Sequence, residues 1–245
     1  MKTLVLDIET RPDAVACIRA DIDPAADFPP FPLHEILCVS ILEIERSGWD
    51  DLAHAIDTYS RIELSERGII DAVEERVSEA QCVVTYNGRG FDVPVLIARA
   101  AVCGLPVPAI NTLTIRTTGR HEDLLDEVSF NRAAPRMPLS ALCAAFGIPV
   151  KFEAHGSDVT ALAEAGNLAQ VGRYCETDVV ATLLAQRMWR SAQVRGSGIE
   201  SWNSLAAWIR SDQPRLAHLL PYSTPPRTGG GGASLTPAHL LSCDL

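Results

Sequence analysis

The sequence predicts an α/β fold in which a mixed β-sheet is flanked by helices. From about residue 81 onward, segments typical of strands alternate with segments of helical spacing. The first strands have no helix between them, which favours antiparallel pairing. A chain of 245 residues with 47% hydrophobic content can bury one substantial core. We therefore expect a main domain at residues 1–198, a helical extension packing on it at 199–222, and a flexible Pro/Gly-rich tail at 223–245.

The first strand, residues 2–10, carries two carboxylates on one face. Side chains alternate along a strand, so Asp7 and Glu9 point to the same side. Two like charges at this spacing raise each other's pKa unless a cation neutralises them, and divalent ions prefer such oxygen ligands. The strand end therefore indicates a metal site, although two solvated acids at a strand end remain an alternative.

The next elements follow from their local patterns. Residues 11–34 are acidic and Pro-rich, which predicts a long loop with one short helical turn. Residues 36–44 and 52–59 are predicted strands. A helix capped by Ser65 is expected to run to about residue 80. Its buried stripe would be formed by Ile69, Ile70, Val73 and Val77.

The second half alternates between strands and helices. A short strand at 81–86 leads through a Gly-rich turn to a helix that begins near Asp92 and ends at Gly104. A fifth strand is predicted within 111–116. Asn167 and Gln170 resemble a capping box at the start of the last long helix, which runs to about residue 189. Shorter helices are expected at 139–146, at 159–165 and near 199–209.

Charge and composition exclude several classes of protein. The net charge of −10 is concentrated at residues 1–80, which hold 7 Lys or Arg against 18 Asp or Glu. This is not the field of a generic basic nucleic-acid binder. No apolar run approaches the roughly 20 residues that span a bilayer, and the N-terminus does not resemble a signal peptide. We expect a cytoplasmic protein without membrane contact. Its seven cysteines, which include no CxxC, are expected to be core residues.

Two further acidic positions have both a functional and a structural interpretation. Asp92 follows a strand and a Gly-rich turn, where α/β sheets often place ligand residues, but an acid at such a position, taken alone, is more often a cap of the following helix. Tyr174 and Asp178 lie four residues apart and therefore on one face of the last long helix. That pair could bind a ligand or simply stabilise the helix.

Together, these segments resemble the three motifs of a known nuclease superfamily. Asp7-Ile8-Glu9, Asn87-Gly-Arg-Gly-Phe91-Asp92 and Tyr174-Cys-Glu-Thr-Asp178 have the order and spacing of the motifs in DEDD 3′-5′ exonucleases with the tyrosine variant. The chain resembles the predicted exonucleases related to the proofreading domain of family B DNA polymerases. The resemblance spans about residues 2–189 and implies a ribonuclease H-like fold.

The resemblance also implies a role for each motif residue. Asp7, Glu9, Asp92 and Asp178 would bind two divalent ions, Mg²⁺ or Mn²⁺, and Tyr174 would orient the attacking water. The residues expected to hold the terminal nucleotide are Ile8, Thr10, Asn87 and Phe91, although Phe91 could also be core filling. Candidate phosphate contacts are Arg89, Arg116, Arg120, Arg132, Arg136 and Lys151.

The favoured hypothesis is a metal-dependent 3′-5′ exonuclease acting on single-stranded ends, with DNA favoured over RNA. An exoribonuclease is the alternative within enzymes, and a catalytically silent binding module is the alternative outside them. The motifs allow a separate polymerase or repair protein as a further partner. Asp123 could support the site from a distance or be an ordinary loop acid.

Overall fold

The structure, a computed structural model, describes residues 1–26, 28–47, 50–149, 158–193 and 197–226. Within these residues a five-stranded sheet is surrounded by helices on both faces. The strands are β1 (Lys2–Pro12), β2 (His34–Ser47), β3 (Asp50–Ser60), β4 (Cys82–Thr85) and β5 (His121–Asp123). The helices are α1 (Ala14–Arg19), α2 (Glu66–Glu79), α3 (Asp92–Cys103), α4 (Pro108–Thr112), α5 (Leu124–Val128), α6 (Leu139–Phe146), α7 (Val159–Glu164), α8 (Leu168–Arg190), α9 (Ser197–Ser211) and α10 (Gln213–Leu216). Short 3₁₀ turns occupy Phe31–Leu33, Arg116–Thr118 and Ala217–Ser223.

Strand β1 lies at the centre of the sheet, whose order is β3-β2-β1-β4-β5. The pairs β1–β2 and β2–β3 are antiparallel, whereas β1–β4 and β4–β5 are parallel. The mixed sheet and the antiparallel early strands predicted from the sequence are confirmed. Val5 and Val84 are the last paired residues of β1 and β4, so β1 extends beyond the carboxyl end of its neighbour. The extended part of β1 carries Asp7 and Glu9.

The alternation along β1 divides the core into two layers. Leu4 and Leu6 pack with α2 and α3 on one face, and Val5 packs with α8 and α9 on the other. Asp7 and Glu9 have the parity of Val5 and therefore face α8. The alternation of side chains along β1 thus determines that the two acids face α8 rather than α2 and α3.

Most predicted helices are present with the expected ends. The side chain of Ser65 accepts a hydrogen bond from the Gly68 N–H at 3.2 Å and caps α2. Gly104 ends α3 in the left-handed conformation, with φ 66°, which residues with a Cβ rarely adopt. Helix α2 buries the predicted stripe, which consists of Ile69, Ile70, Val73 and Val77.

Three local predictions were wrong. No strand lies within residues 111–116: Glu74 accepts the N–H groups of Ala109 and Ile110 at 2.7 and 2.9 Å, which stabilises the start of helix α4 there. The fifth strand is instead β5, which pairs with β4. Asn167 makes no side-chain capping bond, so the capping box is absent. Strand β1 also continues to Pro12 because it keeps pairing with β2 through the region predicted as a loop.

The C-terminal segment of the described chain packs against the sheet and α8. Trp202, Leu205, Ala206 and Ile209 of α9 are buried in the core layer on that face. The tail at 227–245 lies outside the described residues, and the domain boundaries drawn from the sequence stay a prediction. Cys103 is partly exposed, and the other cysteines of the described chain are buried. Among the described residues, no helix is long and apolar enough to cross a membrane.

Candidate active site

Asp7 and Glu9 meet helix α8 at the sulfur of Cys175. The Cys175 Sγ lies 3.4 Å from the main-chain oxygen of Asp7 and 3.5 Å from its Oδ2. Candidate ligand atoms of Asp7, Glu9 and Cys175 all lie within 4.8 Å of one another. The first strand and the last long helix therefore bring residues of the first and third motifs side by side.

Asp92 joins this cluster from the first turn of α3. It is 5% exposed, and its carboxylate accepts hydrogen bonds from its own N–H and from the N–H of Ile8. Phe91 occupies the cap position and makes no side-chain capping bond. The carboxylate of Asp92 thus binds across to β1, which favours a role at the cluster over a simple helix cap.

Tyr174 and Asp178 complete the group from α8. The Tyr174 hydroxyl is hydrogen-bonded to Asp178, and the tyrosine is 7% exposed. Asp178 and Asp7 line the same cleft, which has a volume of about 450 Å³ and is open to solvent. Two carboxylates that are far apart in the sequence therefore face one cavity large enough for part of a nucleotide.

The cluster concentrates several carboxyl groups in a buried environment, which shifts their pKa values. Burial, followed by the charges of neighbouring acids, raises the pKa of Asp7 and of Glu9 well above the ordinary carboxyl range. Burial raises the pKa of Asp92 to about 7. No Lys or Arg of the described chain forms an ion pair with Asp7, Glu9 or Asp92. Carboxylate oxygens gathered in this way are suitable ligands for hard divalent cations, which would neutralise their negative charge.

The turn beside the cleft is held by Asp123, whose role the sequence left open. Its Oδ1 accepts the N–H groups of Asn87 and Leu125 at 2.9 and 3.0 Å, and its Oδ2 accepts the N–H of Arg89 at 2.8 Å. Asn87 has φ 66°, so this turn requires external support. An Asp two residues before a helical N–H is a capping signal, but the contacts with residues 87 and 89 could not be predicted without the β4–β5 pairing.

Replacing Asp123 with Asn is expected to loosen this turn. The amide nitrogen cannot accept the N–H of Arg89, and a buried donor left unpaired costs about 1–3 kcal/mol. Thermal unfolding should show a loss of stability in this range, whereas Glu63→Gln on an exposed turn should show none. Equal effects of the two substitutions would contradict the role of Asp123.

The residues expected to hold the terminal nucleotide lie in different environments. The Ile8 side chain packs in the α2/α3 core layer, so only its backbone can reach the cleft side. The Thr10 hydroxyl lies 3.0 Å from Nδ1 of the buried His34. Phe91 packs against that core layer and meets the His34 ring at 5.1 Å, edge to face. Both interpretations of Phe91, core residue and stacking surface, remain compatible with this position.

The structure separates the arginines that were candidate phosphate contacts. The Arg89 guanidinium donates to the carbonyl groups of Leu113 and His121, and Arg116 is paired with Asp126 at 2.9 Å. Arg120 donates to two carbonyl oxygens at the end of α2, each at 2.9 Å. These three therefore have structural contacts. Arg132 and Arg136 are exposed, and Lys151 lies outside the described residues.

Comparisons with known proteins agree with this architecture. Residues 26–213 match the family of predicted 3′-5′ exonucleases related to the exonuclease domain of PolB. The chain is also similar to the family B DNA polymerase from the hyperthermophilic archaeon Pyrobaculum calidifontis, with a TM-score of 0.53 and 18% identity. This similarity covers 88% of the chain but only 29% of the polymerase, and it concerns the fold, which is ribonuclease H-like as the resemblance implied. No curated protein matches the chain.

Proposed function

The chain belongs to the family of predicted 3′-5′ exonucleases related to the exonuclease domain of PolB, and on that premise we propose that it is a metal-dependent 3′-5′ exonuclease of single-stranded DNA. One observation carries the proposal. Asp7, Glu9, Asp92, Asp178 and Tyr174, from three separate elements, form one electrostatically interacting group, and Asp7 and Asp178 of this group line a solvent-open cleft. Burying four carboxylates close together is unfavourable when they are charged, and a purely structural role would not require all four.

The four carboxylates are the proposed holders of two divalent ions, Mg²⁺ or Mn²⁺. When bound, such a pair lowers the pKa of an attacking water and stabilises the leaving oxygen of a phosphodiester. Asp7 both approaches α8, with its Oδ2 3.5 Å from the Cys175 Sγ, and lines the cleft together with Asp178. Asp7 is therefore the residue best placed to contact both ions. Asp92 is also held by the Ile8 N–H, which fixes its carboxylate beside β1.

Tyr174 is proposed to orient the water rather than to remove its proton. Burial and the charges of Asp178, Glu9 and Asp7 raise the pKa of its hydroxyl, which therefore stays protonated at neutral pH. A neutral hydroxyl that donates to Asp178 retains two lone pairs for accepting a hydrogen bond from a water molecule. The tyrosine can thus fix the position of the nucleophile without changing charge.

Replacing Tyr174 with Phe is expected to lower kcat by about 10- to 100-fold, because a misplaced nucleophile loses the benefit of orientation. Metal affinity should stay unchanged, since the four carboxylates are retained. Steady-state kinetics combined with a calorimetric Mn²⁺ titration measures both quantities. Tyr59→Phe on β3 serves as the matched control. If Tyr174→Phe weakened metal binding but left kcat intact, the assigned role would be incorrect.

The direct test uses single-stranded DNA labelled at its 5′ end, incubated with the protein and Mn²⁺. The expected result is a ladder of products shortened from the 3′ end and suppressed by EDTA. A matched RNA strand decides between DNA and RNA as the preferred substrate. If neither strand is shortened with Mn²⁺ or Mg²⁺, the protein is a binding module and the proposed function is wrong.

A further inference from the structure

A strained loop borders the candidate active site. The arginine loop, residues 129–137, contains three consecutive left-handed residues: Phe130, Asn131 and Arg132 have φ values of 50°, 54° and 73°. This conformation is unfavourable for residues other than Gly and persists only where the surroundings impose it. Ser129 provides part of that constraint, because its carbonyl accepts the N–H of Ala134 at 2.9 Å and its Oγ accepts that of Arg132 at 3.2 Å.

The arginine loop is fixed to the rim of the cleft. The Tyr86 hydroxyl donates to the Met137 carbonyl at 2.6 Å, and the Arg136 guanidinium donates to Asn87 Oδ1. Arg136 and Met137 line the same cleft as Asp7 and Asp178. The loop therefore lies beside the carboxylate cluster and is joined to the turn that follows β4.

The loop carries two arginines that no carboxylate of the described residues neutralises. Arg132 and Arg136 are exposed, and neither forms an ion pair with a carboxylate of the described residues. Neighbouring Arg116 and Arg190, in contrast, are paired with Asp126, Glu122 and Glu127. In a chain of net charge −10, two such arginines beside an acidic site indicate an anionic ligand.

An aromatic pair extends the loop along α8. Phe130 is 63% exposed and meets Trp189 edge to face, with ring centroids 6.1 Å apart. Trp189 is eleven residues beyond Asp178, or roughly 16 Å at 1.5 Å per residue. An exposed aromatic ring at this distance from the cleft can stack on a base a few nucleotides from the reacting end.

We propose that the arginine loop binds the single strand upstream of the bond being cleaved: Arg136 and Arg132 contact successive phosphates, and Phe130, supported by Trp189, stacks on a base. This inference rests on the proposed function and assigns the path of its substrate. Arginine contacts combined with aromatic stacking bind single strands with little sequence preference. The edge of the sheet after β5 is thus the side on which the nucleic acid leaves the cleft.

Binding without cleavage tests the proposal. In an Asp7→Asn background, the affinity for fluorescein-labelled oligo(dT) is measured by anisotropy over a range of salt concentrations. Each phosphate contact contributes about 0.7 to the salt slope on single strands, so Arg132→Ala with Arg136→Ala should flatten it by about 1.4. Phe130→Ala should weaken binding about tenfold and leave the slope unchanged.

Two controls make the result interpretable. Arg61→Ala removes the same charge after β3, at the opposite edge of the sheet, and should change neither affinity nor slope. Arg132→Ala alone should flatten the slope by about 0.7, and because its guanidinium makes no hydrogen bond or ion pair with the described residues, misfolding would not explain the loss. Equal slopes for the loop variants and for Arg61→Ala would overturn the proposal.

A small substrate distinguishes the proposed binding role of the loop from the proposed nuclease function. The p-nitrophenyl ester of thymidine 5′-phosphate has no upstream strand, so the loop variants used with this ester, Arg132→Ala and Phe130→Ala, should hydrolyse it as fast as the wild type. Arg136 is kept in this test because it lines the cleft and donates to Asn87. A wild-type protein that binds oligo(dT) through the loop but cleaves neither substrate would leave the binding site intact and remove the nuclease function. Loop variants that lose hydrolysis of the small ester as severely as that of DNA would overturn the binding role.

Discussion

Asp7→Asn is expected to reduce hydrolysis of single-stranded DNA by about a thousandfold or more. Metal ions supply several kcal/mol of transition-state stabilisation, and each 1.4 kcal/mol is tenfold in rate. Asp7 interacts with all three other carboxylates of the cluster, so losing its charge affects every proposed ligand position. End-labelled substrate and initial rates measure the effect. Asp57→Asn, which replaces a partly exposed acid on β3 that pairs with Arg76, should keep full activity.

The same substitution should stabilise the metal-free protein. The folded cluster has raised carboxyl pKa values, so above the ordinary pKa of about 4 the folded state binds more protons than the unfolded chain. The free energy of unfolding of the apo protein therefore falls as pH rises toward about 7, the pKa of Asp92. Replacing Asp7 with Asn removes one of these buried acids and should therefore raise the free energy of unfolding of the apo protein at neutral pH, as measured by urea denaturation.

Metal ions should stabilise the wild-type protein, and this stabilisation should increase as the pH rises. Because cations displace protons from the carboxylates, Mn²⁺ should raise the melting temperature more at pH 8 than at pH 6. The Asp7→Asn variant should show little of this response. Loss of activity accompanied by loss of apo stability would mean that Asp7 supports the fold and does not hold metal.

Trp202→Ala should cause the largest loss of stability. Trp202 is fully buried in the core layer between the sheet, α8 and α9, and truncating such a residue costs about 3–5 kcal/mol. Its indole N–H also donates to the Tyr222 carbonyl at 2.7 Å, which would lose this donor. Against a total of about 5–15 kcal/mol for a typical domain, this loss is large.

Trp202→Ala should also disturb the candidate active site. Tyr222 is hydrogen-bonded to Thr177, whose hydroxyl donates to the Tyr174 carbonyl at 2.7 Å. A cavity of about 100 Å³ is lined by Tyr174, Asp178 and Tyr222 together. We therefore expect Trp202→Ala to lower kcat even at temperatures where the protein stays folded.

Urea denaturation and kinetics on the same preparation measure both effects. Trp208→Ala is the matched control, because this tryptophan is only partly buried against the same layer. Trp208→Ala should lower the free energy of unfolding clearly less than Trp202→Ala does. If the two variants lost equal stability, the C-terminal segment would not depend on Trp202.

Local patterns were sufficient to predict most of the fold. The alternation in residues 2–10 predicted both the strand and the shared face of Asp7 and Glu9, and helical spacing predicted α2 and α8. These signals are strong because they repeat over many residues. Strand β5 has only three residues, of which the first and last are a buried His and a buried Asp. Such a segment has no periodicity, and its pairing with β4 is a tertiary effect.

The sequence motifs suggest the members of the candidate site but not their spatial arrangement. The motifs identified Asp92, Tyr174 and Asp178, yet their meeting depends on β4 lying parallel to β1 and on α8 crossing that face of the sheet. The Asp123 clamp, the contact of Cys175 with Asp7 and the position of Arg136 all arise from this packing. The spacing of these residues along the sequence does not reveal such contacts.

The most direct test of the central claim is a crystal structure of the protein soaked with Mn²⁺ and phased on its anomalous signal. The account predicts two peaks about 3.5–4 Å apart, bridged by Asp7 and bordered by Glu9, Asp92 and Asp178. A site that stays empty at saturating Mn²⁺, or peaks remote from Asp7, would contradict the claim that these carboxylates form a metal-dependent active site.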